Sequence, residues 1–103
     1  MFRVSILYPN EPGKKFDWDH YINKHMVLAQ ERLEPFGLVR TEVDKAVTAE
    51  GPGASPFIGA GHLYFDSVED FQKGFAEHGA EFMADMPNYT DIMPQIQISE
   101  IVK

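Results

Sequence analysis

The chain contains no cysteine. That excludes disulfide staples, thiolate nucleophiles and cysteine-ligated metals. It also lacks any run of the roughly 20 apolar residues that a membrane span needs. Basic residues are scarce: 9 Lys and Arg stand against 16 Asp and Glu, a formal net charge of −7. Nucleic-acid binding depends on a basic face that displaces counterions, and docking on anionic lipid needs the same, so neither partner is expected. The opening MFRVSILYPN alternates and has no signal-peptide layout, which makes the cytoplasm the expected address. There is no HExxH or facial-triad spacing and no GxGxxG, and GPGASP at 51–56 lacks the Walker lysine. His20 and His25 are five residues apart, off one helical face, so no metal is expected. Haem would need an axial ligand, for which His25, His62 and His78 are the available side chains, but no motif marks one. The carboxylates are scattered, and no pair stands out.

What is present is a core. The 103 residues suit a single domain spanning 1–103, 44% of them are apolar, and Phe, Tyr and Trp alone reach 13%. Aromatics at that density fill cores and line pockets.

Phe2, Val4, Ile6 and Tyr8 alternate with more polar residues, the period of a strand, which Pro9, Pro12 and Gly13 end. Asp17 suits an N-cap, with Phe16 and Tyr21 placed as a hydrophobic staple. Trp18, Tyr21, Ile22, His25, Ala29 and Leu33 recur at three- and four-residue steps as one stripe of a helix that Pro35 and Gly37 stop. Leu38 to Val47 has moderate strand character, 48–56 reads as a loop, and Ile58 to Phe65 is the second clear central strand. Its glycines, Gly59 and Gly61, share a face with Leu63 and Phe65 that lets a helix come close, leaving Ala60, His62 and Tyr64 on the other face. Ser67 with Asp70 starts a second helix, which Gly79 is expected to break, with a further turn to Met86. Asn88 to Pro94 is irregular and Gln95 to Val102 alternates again.

The order is β-α-β-β-α-β, an α+β, ferredoxin-like arrangement of a four-stranded antiparallel sheet with both helices on one face. The opposite face would be left bare, carrying roughly four aromatic or aliphatic residues, and a second copy related by two-fold symmetry would cover it.

The segments VSILYP (Val4 to Pro9), FDWDHYINKHM (Phe16 to Met26), GHLYFDS (Gly61 to Ser67) and MADMPNYTDIMPQIQISEI (Met83 to Ile101) resemble the EthD family, named for a protein of ethyl tert-butyl ether degradation, within the dimeric α+β barrel superfamily. The MPNYTD core is the most specific of these. The resemblance implies a homodimer whose sheets face each other across a cavity. The wider superfamily includes cofactor-independent monooxygenases, muconolactone isomerases, polyketide cyclases and haem enzymes, so the fold leaves the reaction open.

His25 and His62 are the candidate catalytic residues, because imidazole titrates near neutrality. His25 is placed on the helical stripe and matches the family's helix-one histidine; His62 is placed with Tyr64 on a strand face assigned to the cavity. Tyr21, Tyr64, His78 and Tyr89 are candidate ligand-binding residues. For His78 the plainer account is a favourable charge at a helix C-terminus, His20 is expected to be exposed, and the Asn88–Asp91 stretch is expected to serve the dimer structurally, with Tyr89 as a cavity wall. The expected function is His acid/base chemistry, without metal or organic cofactor, on a small apolar cyclic or aromatic metabolite. The alternative is a non-catalytic protein that holds a hydrophobic metabolite for a degradation pathway.

Overall fold

The computed structural model describes residues 1–47 and 54–103, so most of the expected 48–56 loop lies outside the described residues. Four strands, β1 (Phe2–Pro9), β2 (Leu38–Lys45), β3 (Phe57–Phe65) and β4 (Gln95–Glu100), form an antiparallel sheet in the order β2-β3-β1-β4. This is the α+β, ferredoxin-like architecture. β1 and β3, clear in the alternation, take the centre and β2 and β4 the edges.

The first helix occupies residues 18–33. Asp17 caps it, its carboxylate accepting from the His20 N–H at 3.1 Å, and Phe16 lies 5.1 Å from Tyr21, centroid to centroid, as a staple should. After one turn, Trp18–His20, the helix widens into a π segment, Tyr21–His25, and returns to α at Met26–Leu33. A short 3-10 turn and Gly37, left-handed at φ 103°, end it. The π segment corrects the expected stripe. Tyr21, Met26, Ala29 and Leu33 are buried, whereas Ile22 is exposed. The step from Tyr21 to Met26 is five residues, the period of an i→i+5 turn, which a search at three- and four-residue steps passes over.

The second helix, Val68–Asp85, starts at Ser67, whose hydroxyl accepts from the Asp70 N–H at 3.2 Å. It runs unbroken through Gly79. A Cβ there would stand 2.9 Å from the Phe75 ring, so this glycine makes room for an aromatic inside the helix instead of ending it. His78 is therefore not at a helix end; it lies beside Phe36, 5.8 Å between ring centroids, and 3.6 Å from Glu81.

Both helices lie on the Gly59–Gly61–Leu63–Phe65 side of β3, as the glycines suggest. At Gly61 a Cβ would overlap the Tyr21 hydroxyl and approach the Met26 sulfur to 3.5 Å. Register carries this side across the sheet to Val4 and Ile6 of β1, Ile96 and Ile98 of β4 and Val43 of β2. Among the described residues no helix lies on the opposite face, although Ser5, Ala60 and Tyr64 on it are buried, and it is not the apolar patch expected. It presents Arg3, Ser5 and Leu7, Arg40, Glu42 and Asp44, Ala60, His62 and Tyr64, and Gln95, Gln97 and Ser99. The apolar exposure falls instead beyond the helices' reach along β4, where Ile96 is 53% exposed beside the similarly open Met83 of the second helix.

Filling the space above Gly61 is expected to strain the helix–sheet contact. Gly61→Ala should lower the unfolding free energy by about 1–3 kcal/mol, read from urea denaturation. Most of that loss should be absent when the same change is made in a Tyr21→Phe background. An undiminished loss in the double variant would locate the strain elsewhere.

Candidate functional site

A cavity of about 70 Å³ lies between the sheet and the helices. At roughly 10–15 Å³ per water, it has room for several waters or one end of a small ring. Val4, Ile6 and Leu63 form its floor, Phe71, Phe75 and Phe82 its second-helix wall, and Met83 and Ile96 belong to its exposed margin. Polarity is confined to Tyr8, Tyr21, His25 and Tyr89.

Each of these four comes from a different constraint. Tyr8 ends the helix-facing row of β1. Tyr21 and His25 open and close the π segment and stack on each other, 5.6 Å between centroids and 17° between planes. Tyr89 follows the second helix, in a stretch that pins the start of the first. Its carbonyl accepts from the Asp17 N–H at 2.7 Å, the Thr90 hydroxyl donates to the Lys15 carbonyl at 2.7 Å, and the Asp91 carboxylate accepts from the Lys15 N–H at 2.9 Å. The PNYTD stretch is thus structural within one chain, and Tyr89 is a cavity wall.

The hydroxyls of Tyr8 and Tyr89 are 2.7 Å apart, and the Tyr21 hydroxyl interacts with that of Tyr8. Tyr89 Oη also lies 3.5 Å from His25 Nε2. On its other side His25 Nδ1 is 2.8 Å from Asp85 Oδ2, and His20 Nε2 reaches the same carboxylate at 3.1 Å. Asp85 is the residue that sequence reasoning missed. It reads as one more acid in an acidic chain, and its only local signal is its position just before the MPNYTD core. His20, expected to be exposed, is drawn in by the same carboxylate and is only 18% exposed.

The electrostatics follow from burial and this carboxylate. Desolvation lowers the His25 pKa below its ordinary 6.5, against the opposing pull of Asp85, so the imidazole is neutral at pH 7. Burial acts to raise Asp85, but hydrogen bonds from Asn88, His25 and His20 outweigh it and hold the carboxyl below its usual range. An ionised Asp85 accepts the Nδ1 proton, which leaves the Nε2 lone pair on the tyrosine side. Desolvation drives all three phenols up, Tyr89 to about 12 and Tyr8 and Tyr21 further, so each keeps its proton.

The structure brings His25, Tyr21 and Tyr89 together and leaves His62, Tyr64 and His78 apart from them. His62 and Tyr64 are on the sheet's open face, so they do not share the cavity of His25. His62 bridges Ser5 Oγ, 2.9 Å from Nδ1, and Asp44 Oδ2, 2.7 Å from Nε2. Tyr64 donates to Glu42 at 2.6 Å with the Arg40 guanidinium 3.9 Å above its ring, while Arg40 also pairs with Glu42. His78 does not line the cavity. Among the described residues no group of three or more His, Asp or Glu side chains is arranged to hold a metal ion.

Fold and cavity together define an α+β, ferredoxin-like protein with a partly open, mostly apolar site. The EthD domain model matches residues 13–92, and the chain belongs to the EthD family. It is similar to an EthD-like protein from Ralstonia eutropha JMP134, with 36% identity and a TM-score of 0.89 over 99% of this chain and 92% of that one. It also resembles an ethyl tert-butyl ether degradation family protein from Bacillus halodurans C-125, at 23% identity and a TM-score of 0.67 over 99% of both chains. A dimeric ferredoxin-like protein from an uncultured marine organism shares the fold at 16% identity, with a TM-score of 0.59 over 100% of this chain and 96% of that one. No curated protein matches the chain.

The lowered His25 pKa has a consequence for stability. Below pH 6.5 the unfolded chain binds a proton at this residue that the folded chain resists, so the unfolding free energy should fall on acidification from pH 7.5 to 5.5. Asp85, held below its ordinary 3.8, stays ionised across that window and does not contribute to the slope. Guanidinium unfolding at the two pH values should show a smaller difference in His25→Gln than in wild type. Equal differences would mean that His25 is not desolvated.

Proposed function

We propose that the chain is a cofactor-independent acid/base protein for a small, apolar, cyclic or aromatic metabolite, with His25 as the proton-transfer group. The observation that carries this reading is a single imidazole, backed by a carboxylate, at the polar end of an otherwise apolar cavity. A neutral His25 with Nε2 unprotonated is ready to accept a proton near pH 7, and the Asp85 carboxylate favours the imidazolium that results. Returning that proton elsewhere on the same molecule is isomerase or cyclase chemistry. Tyr21 and Tyr89 orient the ligand, and the phenylalanine and methionine side chains exclude water.

The same reading includes a homodimer through the open face. That face carries Arg3 and Arg40 beside Glu42 and Asp44, so a two-fold copy can match its charges. Arg3 Nε, the one buried side-chain polar atom without a partner among the described residues, would find an acceptor there. A second cavity formed between two such faces would bring His62 and Tyr64 to a ligand, with the Ser5–His62–Asp44 chain as its polar element. The non-catalytic alternative, a holder of a hydrophobic metabolite for a degradation pathway, draws support from the tyrosine hydroxyls, which bond to one another.

Solvent exchange separates these readings. Cyclic ketones, lactones and phenolic or polyketide-like compounds, incubated with the protein in D₂O, should lose C–H signal by NMR for at least one compound. The rate should drop about 10²-fold or more in His25→Gln and hold in His62→Gln. Saturable thermal stabilisation with no exchange would establish the holder instead, and a loss confined to His62→Gln would move the chemistry to the open face.

A further inference from the structure

Among the described residues, sixteen line the cavity, of which only Tyr8, Tyr21, His25 and Tyr89 carry a side-chain N–H or O–H, and none is Lys, Arg, Asp or Glu. The four are contiguous, joined by the Tyr21–Tyr8, Tyr8–Tyr89 and Tyr89–His25 contacts. The ligand therefore meets polarity at one end and hydrocarbon everywhere else.

The hydrogens of that end can be counted. Three phenols hold three hydroxyl hydrogens, since burial keeps all of them protonated. Linking three oxygens in a row uses two of them. With the row running from Tyr21 through Tyr8 to Tyr89, the third is carried by Tyr89, and its partner among the described residues is His25 Nε2 at 3.5 Å, the outer limit of a hydrogen bond. His25 Nδ1 is already engaged by Asp85, so Nε2 is an acceptor. One spare donor and one weakly used acceptor thus stand side by side. An anion has no cation here to offset its desolvation.

We infer that the cavity selects an uncharged ring compound bearing one carbonyl, enol or phenol oxygen, seated at the Tyr8–Tyr89–His25 end, and rejects carboxylates. This rests on the reading of the cavity as the ligand site and gives that ligand a chemical class. A carbonyl oxygen accepts the spare phenolic hydrogen; an enol or phenol O–H donates to Nε2. If the carbon next to a bound carbonyl lies at Nε2, its proton passes to Nε2, the C–H pair becomes the enolate C=C, and the carbonyl π pair moves onto the oxygen held by the phenol. Return of the proton to the same carbon restores the ketone, and return to the far carbon of a conjugated system gives the isomer. No other reactant is consumed.

Phenol, toluene and benzoate, similar in ring and differing in the polar group, are the probes. Titrated calorimetrically at pH 7, wild-type protein should bind phenol about tenfold more tightly than toluene, the worth of roughly one hydrogen bond. Benzoate should show no saturable binding. Tyr89→Phe should bring phenol to within about threefold of toluene and leave toluene unchanged. Equal affinity for phenol and toluene in wild type, or benzoate as the tightest ligand, overturns the inference, and this comparison needs no variant to fold. Selection of phenol in a protein that exchanges no substrate protons supports the oxygen site and overturns catalysis. Exchange without that selection does the opposite.

Discussion

A single carboxylate holds the polar end of this protein together. Asp85, the last residue of the second helix, accepts from His25, from His20 and from the Asn88 amide at 2.8, 3.1 and 3.0 Å. Charge-assisted hydrogen bonds of this kind are the stronger ones available to a fold. Here they do two things: they tie the end of one helix to the first turns of the other, and they determine which nitrogen of His25 carries its hydrogen. Tyr89, four residues on, is delivered against both imidazoles, stacked on His20 at 6.1 Å and tilted on His25 at 4.6 Å.

That clamp works because the first helix can lie close to the sheet. Gly61 leaves space that the Tyr21 hydroxyl and the Met26 sulfur occupy. The π segment supplies the matching irregularity, admitting one extra residue so that Tyr21 and Met26 both face inward while His25 turns toward Asp85. π segments are often found at functional sites, and the reason is visible here. A regular α-helix with Tyr21 and Ala29 in place would carry Ile22 inward, as the stripe read from the sequence has it, and would leave Met26 out.

The two faces of the sheet divide the chemistry. The helix side is apolar apart from the tyrosine–histidine end, while the open side is a lattice of opposite charges around His62 and Tyr64. On the helix side, β4 keeps Ile96 and Ile98 half exposed. Apolar exposure at the cavity margin and polar exposure on the open face are the reverse of what a bare-sheet argument expects. That argument counts coverage by elements and does not weigh the residues placed on each face.

The order of elements, the central position of β1 and β3, both helix caps, the staple between Phe16 and Tyr21 and the helix-facing side of β3 were all legible in the sequence. Each is set by neighbours within a few residues or by strict alternation. His25, Tyr21 and Tyr89 are likewise marked by residue type, position and the family resemblance. The tertiary structure alone decided what they do together. The Asp85–His25 contact spans sixty positions and the Tyr8–Tyr89 contact eighty-one, and no local pattern marks either end. His62 and His25 are both histidines on well-formed elements, yet they lie on opposite sides of a sheet. A strand's alternation tells which residues share a face, but which face holds a cavity depends on how far the helices spread when they pack, and that is a property of the assembled layers.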